Sequence, residues 1–336
     1  MPTSKRIIVP AGFFGIVLGL AGLGSGWRLA AHVWNLTPLV GEAVSLLAAA
    51  VWFVLILLFV GKWIWLRAEA LAEFRHPVLC CFVGIVPVST ALAGWAIRPY
   101  CYPLALALAS VGVVGQLVFS VYRTGALWKG GRDHSATTPI LYLPTVAGSF
   151  VSAIVLSAFG HSSWAAPFFG AGLLSWLAIE SVLLHRLYVV SELPPPLRPS
   201  LGIQLAPPAV GCAAYFGIAP GPPDLFAQGL IGYALFQALV LMRLLPWIAR
   251  QPFTASYWAF SFGVSALGLD LLRCVERGDT GPLAIAAPYV FVIVNVIIGG
   301  LVVGTILQIF RGKLLPPPLV PDAASSSAAA PNPAMR

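Results

Sequence analysis

Apolar runs of roughly 20 residues recur along almost the whole chain. A run of this length matches the thickness of the bilayer hydrocarbon, where backbone amides can bond only to one another within a helix. The sequence therefore predicts an all-α integral membrane protein with ten transmembrane helices in one domain, residues 1–314. The runs cover residues 10–31, 41–66, 77–94, 103–122, 139–158, 165–190, 203–216, 224–248, 253–272 and 283–310.

Composition agrees with lipid as the solvent and excludes several other classes of protein. Hydrophobic residues make up 59% of the chain and charged residues 9%. The net charge of +8 comes from Lys and Arg residues between the apolar runs. The chain has no basic helix with interleaved aromatic residues, so the sequence does not predict nucleic-acid binding. The five cysteines and five histidines show no metal-binding spacing, so we expect no metal and no cofactor.

The positions of Lys and Arg predict the orientation, because short cytoplasmic loops carry the excess of positive charge. If the N-terminus is cytoplasmic, 15 of the 19 Lys and Arg residues, from Lys5 and Arg6 to Arg336, fall on the cytoplasmic side. Both termini are therefore predicted to be cytoplasmic. After residue 314 the composition shifts to Pro, Ala and Ser, which predicts a disordered cytoplasmic tail at 315–336.

The runs pair into a repeat, because the odd-numbered runs begin near residues 10, 77, 139, 203 and 253. Five helical hairpins are implied. The odd runs carry Gly and Pro near mid-membrane, whereas the even runs are rich in Leu, Val, Trp and Phe. Irregular backbone is tolerated in a membrane only where protein buries it or where it lines a cavity. We therefore expect the odd helices to form an inner ring around a central pore, with the even helices facing lipid.

Six of these Gly and Pro residues are candidates for lining the pore or acting as hinges. They are Gly15, Pro87, Pro144, Pro207, Pro208 and Gly263. The alternative is that Gly and Pro serve close helix packing, as in the GxxxG spacing of Gly15 and Gly19. Both interpretations stay open at the level of sequence.

The acidic residues give little support for an enzymatic function. Most lie between the runs, and the chain has no paired-carboxylate motif, no GxSxG and no GxxxxGK[ST] loop. Glu180 is the exception, because it lies near the centre of the sixth run, where a charge is costly. It is a candidate proton site or, alternatively, a hydrogen-bonded carboxyl at a helix interface. Asp270 and Arg273 lie at i, i+3 and are expected to pair at the pore mouth.

The ninth run contains the segment SYWAFSFGVSAL, in which Phe260 and Phe262 precede Gly263. A bulky ring beside a glycine at mid-membrane is suited to plug a pore. The alternative is that the ring packs against lipid or a neighbouring helix.

Three features resemble the TehA family of tellurite-resistance proteins. They are PAGFFGIVLGLAGLG in the first run, the Pro-bearing odd runs and SYWAFSFGVSAL in the ninth. That family includes the plant guard-cell slow anion channel and a yeast malate permease, and the resemblance covers residues 7–312. It implies a bacterial inner-membrane homotrimer in which five inner helices of each protomer enclose a pore.

The resemblance also implies roles for individual residues. The phenylalanine that closes the family's pore matches Phe262, and Gly15 matches a small pore-side residue. The plant channels tend to have Pro after the gating phenylalanine, where this chain has Gly263. The functional hypothesis is a gated channel that conducts small inorganic anions passively. The alternative is a proton-coupled carrier for tellurite or small dicarboxylates, with Glu180 titrating during transport.

Overall fold

The computed structural model describes residues 8–320, and within them ten helices are long and apolar enough to cross a membrane. The prediction of ten helices is confirmed. We call them spans 1 to 10. They are Ala11–Trp34, Leu39–Trp65, Leu79–Ile97, Tyr102–Leu127, Pro139–Ala158, Ser162–Val189, Pro195–Ile218, Leu225–Ile248, Ala255–Glu276 and Pro282–Phe310.

The odd spans form the inner ring that the Gly and Pro pattern predicted. Span 1 packs against spans 3 and 9, and the ring closes through contacts of span 3 with 5, 5 with 7 and 7 with 9. Each even span packs between two odd spans. In the most apolar stretch of each odd span 67% to 78% of residues are buried, compared with 22% to 33% in the even spans. The even spans are therefore the lipid-facing shell.

Each odd span changes helix type part of the way across. The first part is a 3₁₀ helix in spans 1, 3, 7 and 9, and a 3₁₀ turn followed by a π segment in span 5. The second part is an α-helix. The Gly and Pro residues that marked the odd runs cluster near these junctions, where they remove bulk or an amide donor. The α-helical parts are Gly15–Trp34, Ile85–Ile97, Gly148–Ala158, Ala206–Ile218 and Ser261–Glu276.

We call the end of the ring at which the odd spans begin the N-side. A short helix, Arg67–Arg75, lies there between spans 2 and 3. The ammonium of Lys62 pairs with the carboxylate of Glu73 and donates to the carbonyl of Val9 at 2.8 Å. Glu73 also accepts a hydrogen bond from the amide of Ala11 at 2.8 Å. This buried ion pair therefore ties the start of span 1 to the end of span 2.

The chain continues beyond span 10 to the N-side helix. Glu69 of that helix accepts hydrogen bonds from the amides of Leu319 at 3.0 Å and Val320 at 2.9 Å. The first six residues of the tail predicted at 315–336 thus reach the N-side surface. The rest of that tail, 321–336, and the charged residues Lys5, Arg6 and Arg336 lie outside the described residues.

Candidate functional site

Span 9 is held on both sides at the level where its α-helix begins. The hydroxyl of Ser261 donates to the carbonyl of Gly15 in span 1 at 3.3 Å. On the other side, a Cβ added to Gly263 would lie 2.8 Å from the amide nitrogen of Ala206 in span 7. Only a glycine permits this approach of two backbones. Phe262 lies between these two contacts.

The helical geometry then gives the direction of the Phe262 side chain. Successive residues of an α-helix are about 100° apart, so Phe262 points midway between the directions of Ser261 and Gly263. Gly268, about 120° from Phe262 around the helix axis, packs against Val294 of the outer span 10. The Phe262 side chain therefore does not face span 10. Its side chain is half-buried, whereas its two neighbours in sequence are buried.

Three glycines of span 1 form the contact surface with span 9. A Cβ added to Gly19 would lie 2.4 Å from the Ser261 hydroxyl, and one added to Gly22 would lie 2.1 Å from the Ser265 hydroxyl. For Gly15 the nearest atom is the Cβ of Trp258, at 3.9 Å. Gly19 and Gly22 are therefore tight packing positions, while Gly15 has room for a small side chain.

Pro87 and Pro144 both lie against span 4 of the outer shell. A Cβ added to Gly112 would lie 2.7 Å from the Pro87 carbonyl oxygen. The Pro144 carbonyl accepts hydrogen bonds from the amide of Gln116, at 3.1 Å, and from the hydroxyl of Ser120. Both prolines thus contact span 4 on the outer side of the ring.

Pro207 and Pro208 are buried at the start of the α-helical part of span 7. Pro207 lines a small apolar pocket between spans 5 and 7, together with Tyr142, Phe150 and neighbouring aliphatic residues. The ring of Phe150 also fills the space beside Gly211 of span 7. The junction of span 7 is therefore packed by aromatic rings of span 5.

Glu180 is hydrogen-bonded at the meeting point of spans 5, 6 and 8. One carboxylate oxygen accepts from the indole of Trp176 at 3.0 Å and from the hydroxyl of Tyr142. The other accepts from the hydroxyl of Tyr233 at 3.0 Å, which itself accepts from Gln237 at 2.9 Å. The carboxyl therefore joins three helices through donors from each of them.

The prediction that Asp270 pairs with Arg273 is wrong. The guanidinium of Arg273 instead bonds to Glu276 at 2.6 Å. Asp270 is fully buried, and neither of its carboxyl oxygens has a hydrogen-bond partner among residues 8–320. The spacing i, i+3 permits contact on one helix face, but Arg273 is partly exposed and reaches outward to Glu276.

Gln116 is a polar residue inside span 4 that sequence reasoning missed. It is buried, donates to Ser120 at 2.7 Å and accepts from Ser152 of span 5 at 3.3 Å. Residue 148 has to be a glycine because the Gln116 amide fills the space of a side chain there. A Cβ added to Gly148 would lie 2.0 Å from the amide nitrogen of Gln116. The signal available in the sequence was Gln and Ser at i, i+4 within an apolar run.

The end of the ring opposite the N-side carries its own polar contacts. Asp224 caps span 8 by accepting the amide of Ala227 at 2.9 Å, and this bond lowers the pKa of the Asp224 carboxyl. Arg277 donates to the carbonyl oxygens of Ala219 at 2.7 Å and Gly221 at 3.0 Å. Burial lowers the pKa of the Arg277 guanidinium. These bonds fix the loop between spans 7 and 8.

Within the part of the chain that the structure describes, no three His, Cys, Asp or Glu side chains come together as metal ligands. The polar residues of the ring are instead dispersed single hydroxyls, amides and carboxyls. Ten spans with a closed inner ring of five interrupted helices define this molecule as a multi-pass membrane protein.

The chain belongs to the SLAC1 family, described as voltage-dependent anion channel, whose model matches residues 9–306. It is 37% identical over 317 residues to the Tellurite resistance protein TehA homolog of Haemophilus influenzae, covering 93% of this chain and 94% of that protein. It is also 24% identical over 239 residues to the Uncharacterized transporter MJ0576 of Methanocaldococcus jannaschii, covering 64% and 68%. The family is one of channels and transporters rather than enzymes.

Proposed function

We propose that this protein is a gated channel for small inorganic anions, with Phe262 as the plug of a pore that runs through the inner ring. The observation that carries the proposal is the position of Phe262 between the Ser261 contact to span 1 and the Gly263 contact to span 7. Both contacts hold the backbone, so the aromatic ring is the movable part at this level. Membership of an anion-channel family supports the class of substrate.

The charge distribution of the ring suits passage rather than tight binding. The three Arg residues of the odd spans, Arg28, Arg198 and Arg273, all lie towards span ends, and the odd spans contain no Lys. Conduction requires that an ion leaves each site as easily as it enters, which a deep cation would prevent. Hydroxyl and amide dipoles at the helix junctions favour anions without trapping them.

The competing function is a proton-coupled carrier for tellurite or small dicarboxylates, in which Glu180 exchanges protons. Tyr142, Trp176 and Tyr233 donate to both oxygens of that carboxyl, at a junction with the outer shell. Such bonds favour a fixed structural role over repeated protonation. We therefore rank the channel first.

The direct test is anion current in planar bilayers, with chloride and nitrate as test ions. We expect a small wild-type current and a large current for Phe262→Ala, because the substitution removes the ring that fills the pore. The matched control is Phe260→Ala, since the Phe260 ring packs against Gly202 of span 7, where an added Cβ would lie 2.6 Å from it. Phe260→Ala should remain close to the wild-type current.

Equal currents for the two alanine variants would exclude Phe262 as the plug. Silence of all three proteins, together with substrate uptake driven by a pH gradient, would replace the channel by the carrier. Current and uptake are measured on the same reconstituted preparation. The amount of protein in the vesicles is measured for each variant, so that a silent variant is distinguished from one that was not incorporated.

We further propose that the protein is a homotrimer of the bacterial inner membrane, with one pore per protomer and the N-side in the cytoplasm. The separation of 15 Lys and Arg residues on one side from four on the other supports this orientation. The mass of the purified protein in detergent tests the trimer. Labelling of a single cysteine introduced at Lys129, in intact and opened cells, tests the side.

A further inference from the structure

Span 9 meets span 7 through residues that recur at every seventh position. A Cβ added to Gly263 would lie 2.8 Å from the amide nitrogen of Ala206 in span 7. Further along, Arg277 donates to the carbonyl oxygen of Ala219, just after span 7, at 2.7 Å. Asp270 lies midway between Gly263 and Arg277 in sequence. Seven residues of an α-helix complete two turns to within about 20°, so Asp270 faces span 7 as well.

The carboxyl of Asp270 is buried in this interface without a partner. It is fully buried, and neither oxygen has a hydrogen-bond partner among residues 8–320. The other buried carboxyls are satisfied: Glu69 accepts two backbone amides, and Glu73 accepts one and pairs with Lys62. The half-buried Glu180 accepts three hydrogen bonds. Within the described chain, Asp270 alone is a buried carboxyl that the protein neither bonds nor neutralises.

The charged residues on this side of span 9 do not supply a counter-ion. Spans 1, 7, 8 and 10 pack against its α-helical part. Arg273 bonds to Glu276 at 2.6 Å, and Arg277 bonds to backbone carbonyls of the loop after span 7. The titratable and charged side chains near Asp270 are Cys212 of span 7, Asp224 at the start of span 8, and Arg273, Cys274 and Arg277 of its own chain segment.

Spans 1 and 10 meet the opposite face of span 9. Apolar residues of both spans pack there with Leu269 and Leu272. Their ionisable residues are engaged elsewhere, since Arg28 pairs with a carboxylate of span 2, and His32 and Tyr289 are exposed. An ionised carboxylate at the Asp270 position would thus have neither a hydrogen bond nor a paired cation inside the membrane, which is costly. The neutral acid avoids this cost.

We propose that Asp270 binds a proton in the wall between spans 7 and 9, and that this neutral form is the one that lets anions pass. Phe262 precedes Asp270 by eight residues, about 12 Å along the helix axis, so both lie in the same wall of the proposed pore. A carboxylate charge there would repel an anion through a medium of low dielectric constant. The effect on anions rests on the proposed channel, whereas the proton site does not.

Infrared spectroscopy of the full chain in lipid vesicles tests the proton directly. A protonated carboxylic acid has a carbonyl-stretching band that a carboxylate lacks. We expect the wild type to show at neutral pH a band of this kind that is missing in Asp270→Asn. The matched control is Glu276→Gln, which removes an exposed carboxylate from the same span and should keep the band. Identical spectra of Asp270→Asn and the wild type would overturn the proton site, and Asp270→Ser replaces the asparagine variant if that variant does not fold.

Anion current in the Phe262→Ala background tests the effect of the proton on passage. We expect the current to fall about tenfold as the pH is raised through the range in which the band fades, because one uncompensated charge then acts on the anion. The current of Phe262→Ala with Asp270→Asn should not change with pH, while Glu276→Gln should keep the pH dependence. A current independent of pH while the band fades would overturn the role in passage. If Phe262→Ala carries no current at any pH, the channel fails, and the infrared difference still decides the proton site.

Discussion

The hydroxyl of Ser261 donates a hydrogen bond to the carbonyl of Gly15 across 3.3 Å, and each residue is the first of the α-helical part of its span. Spans 1 and 9 therefore change helix type at the same level. Because Phe262 follows Ser261 directly, the proposed plug is anchored to the neighbouring span at the point where the backbone geometry changes.

Gly22→Ala should destabilise the protein more than Gly15→Ala. The new Cβ would lie 2.1 Å from the Ser265 hydroxyl at Gly22, but no nearer than 3.9 Å to any atom outside its own helix at Gly15. Overpacking of this kind costs about 1–3 kcal/mol. Thermal unfolding in detergent measures the difference, and Ser265→Ala combined with Gly22→Ala should recover part of it. Equal losses at the two glycines would contradict the packing.

Lys62→Met should be strongly destabilising, because it leaves the carboxylate of Glu73 buried without its cation. Removing one partner of a buried ion pair costs about 3–5 kcal/mol. The control is Glu192→Gln, which breaks a pair with Arg198 in which the Glu192 side chain is 73% exposed. That change should cost less than about 1 kcal/mol. Urea unfolding of the two variants in the same detergent compares them, and similar costs would refute the role of burial.

Glu180→Gln should lower stability by about 1–3 kcal/mol, because the new NH₂ group faces donors where a carboxylate accepted three hydrogen bonds. Under the channel proposal, anion conduction persists in the variant and does not become dependent on a pH gradient. Ser181→Ala, at an exposed position on the same span, is the control. Loss of all transport in a folded Glu180→Gln protein would favour the carrier.

The cap of span 8 should make stability sensitive to acid. The amide of Ala227 lowers the pKa of Asp224 in the folded state, so the ionised carboxylate contributes stability above the unfolded pKa of roughly 4. That contribution is lost as pH falls through the lowered folded pKa. Melting temperatures measured across this range should fall less steeply for Asp224→Asn, since asparagine also caps a helix but does not titrate. Identical slopes would refute the assignment.

Hydropathy alone was enough to predict the ten spans. The positions of Gly and Pro were enough to predict which helices form the inner ring and which form the outer shell. The reason is that both properties report the environment of a whole helix. Lipid selects apolar length, and a crowded ring selects residues without bulk. Gly19 and Gly22, which face serine side chains of span 9, are direct evidence of that crowding.

Individual side-chain partners could not be predicted in the same way. Asp270 was expected to pair with Arg273 at i, i+3, but Arg273 bonds to Glu276 and Asp270 is buried without a partner in the described chain. Sequence spacing states which residues share a helix face. It does not state what the neighbouring helices place against that face.

The sequence by itself determined the membrane environment, the number of spans and the alternation of ring and shell, because each depends on the average character of about 20 consecutive residues. Only the tertiary structure decided that Pro144 bonds to span 4 and that Glu180 joins three helices. These relations depend on the rotation and relative height of packed helices. Both are set by contacts between residues far apart in the chain.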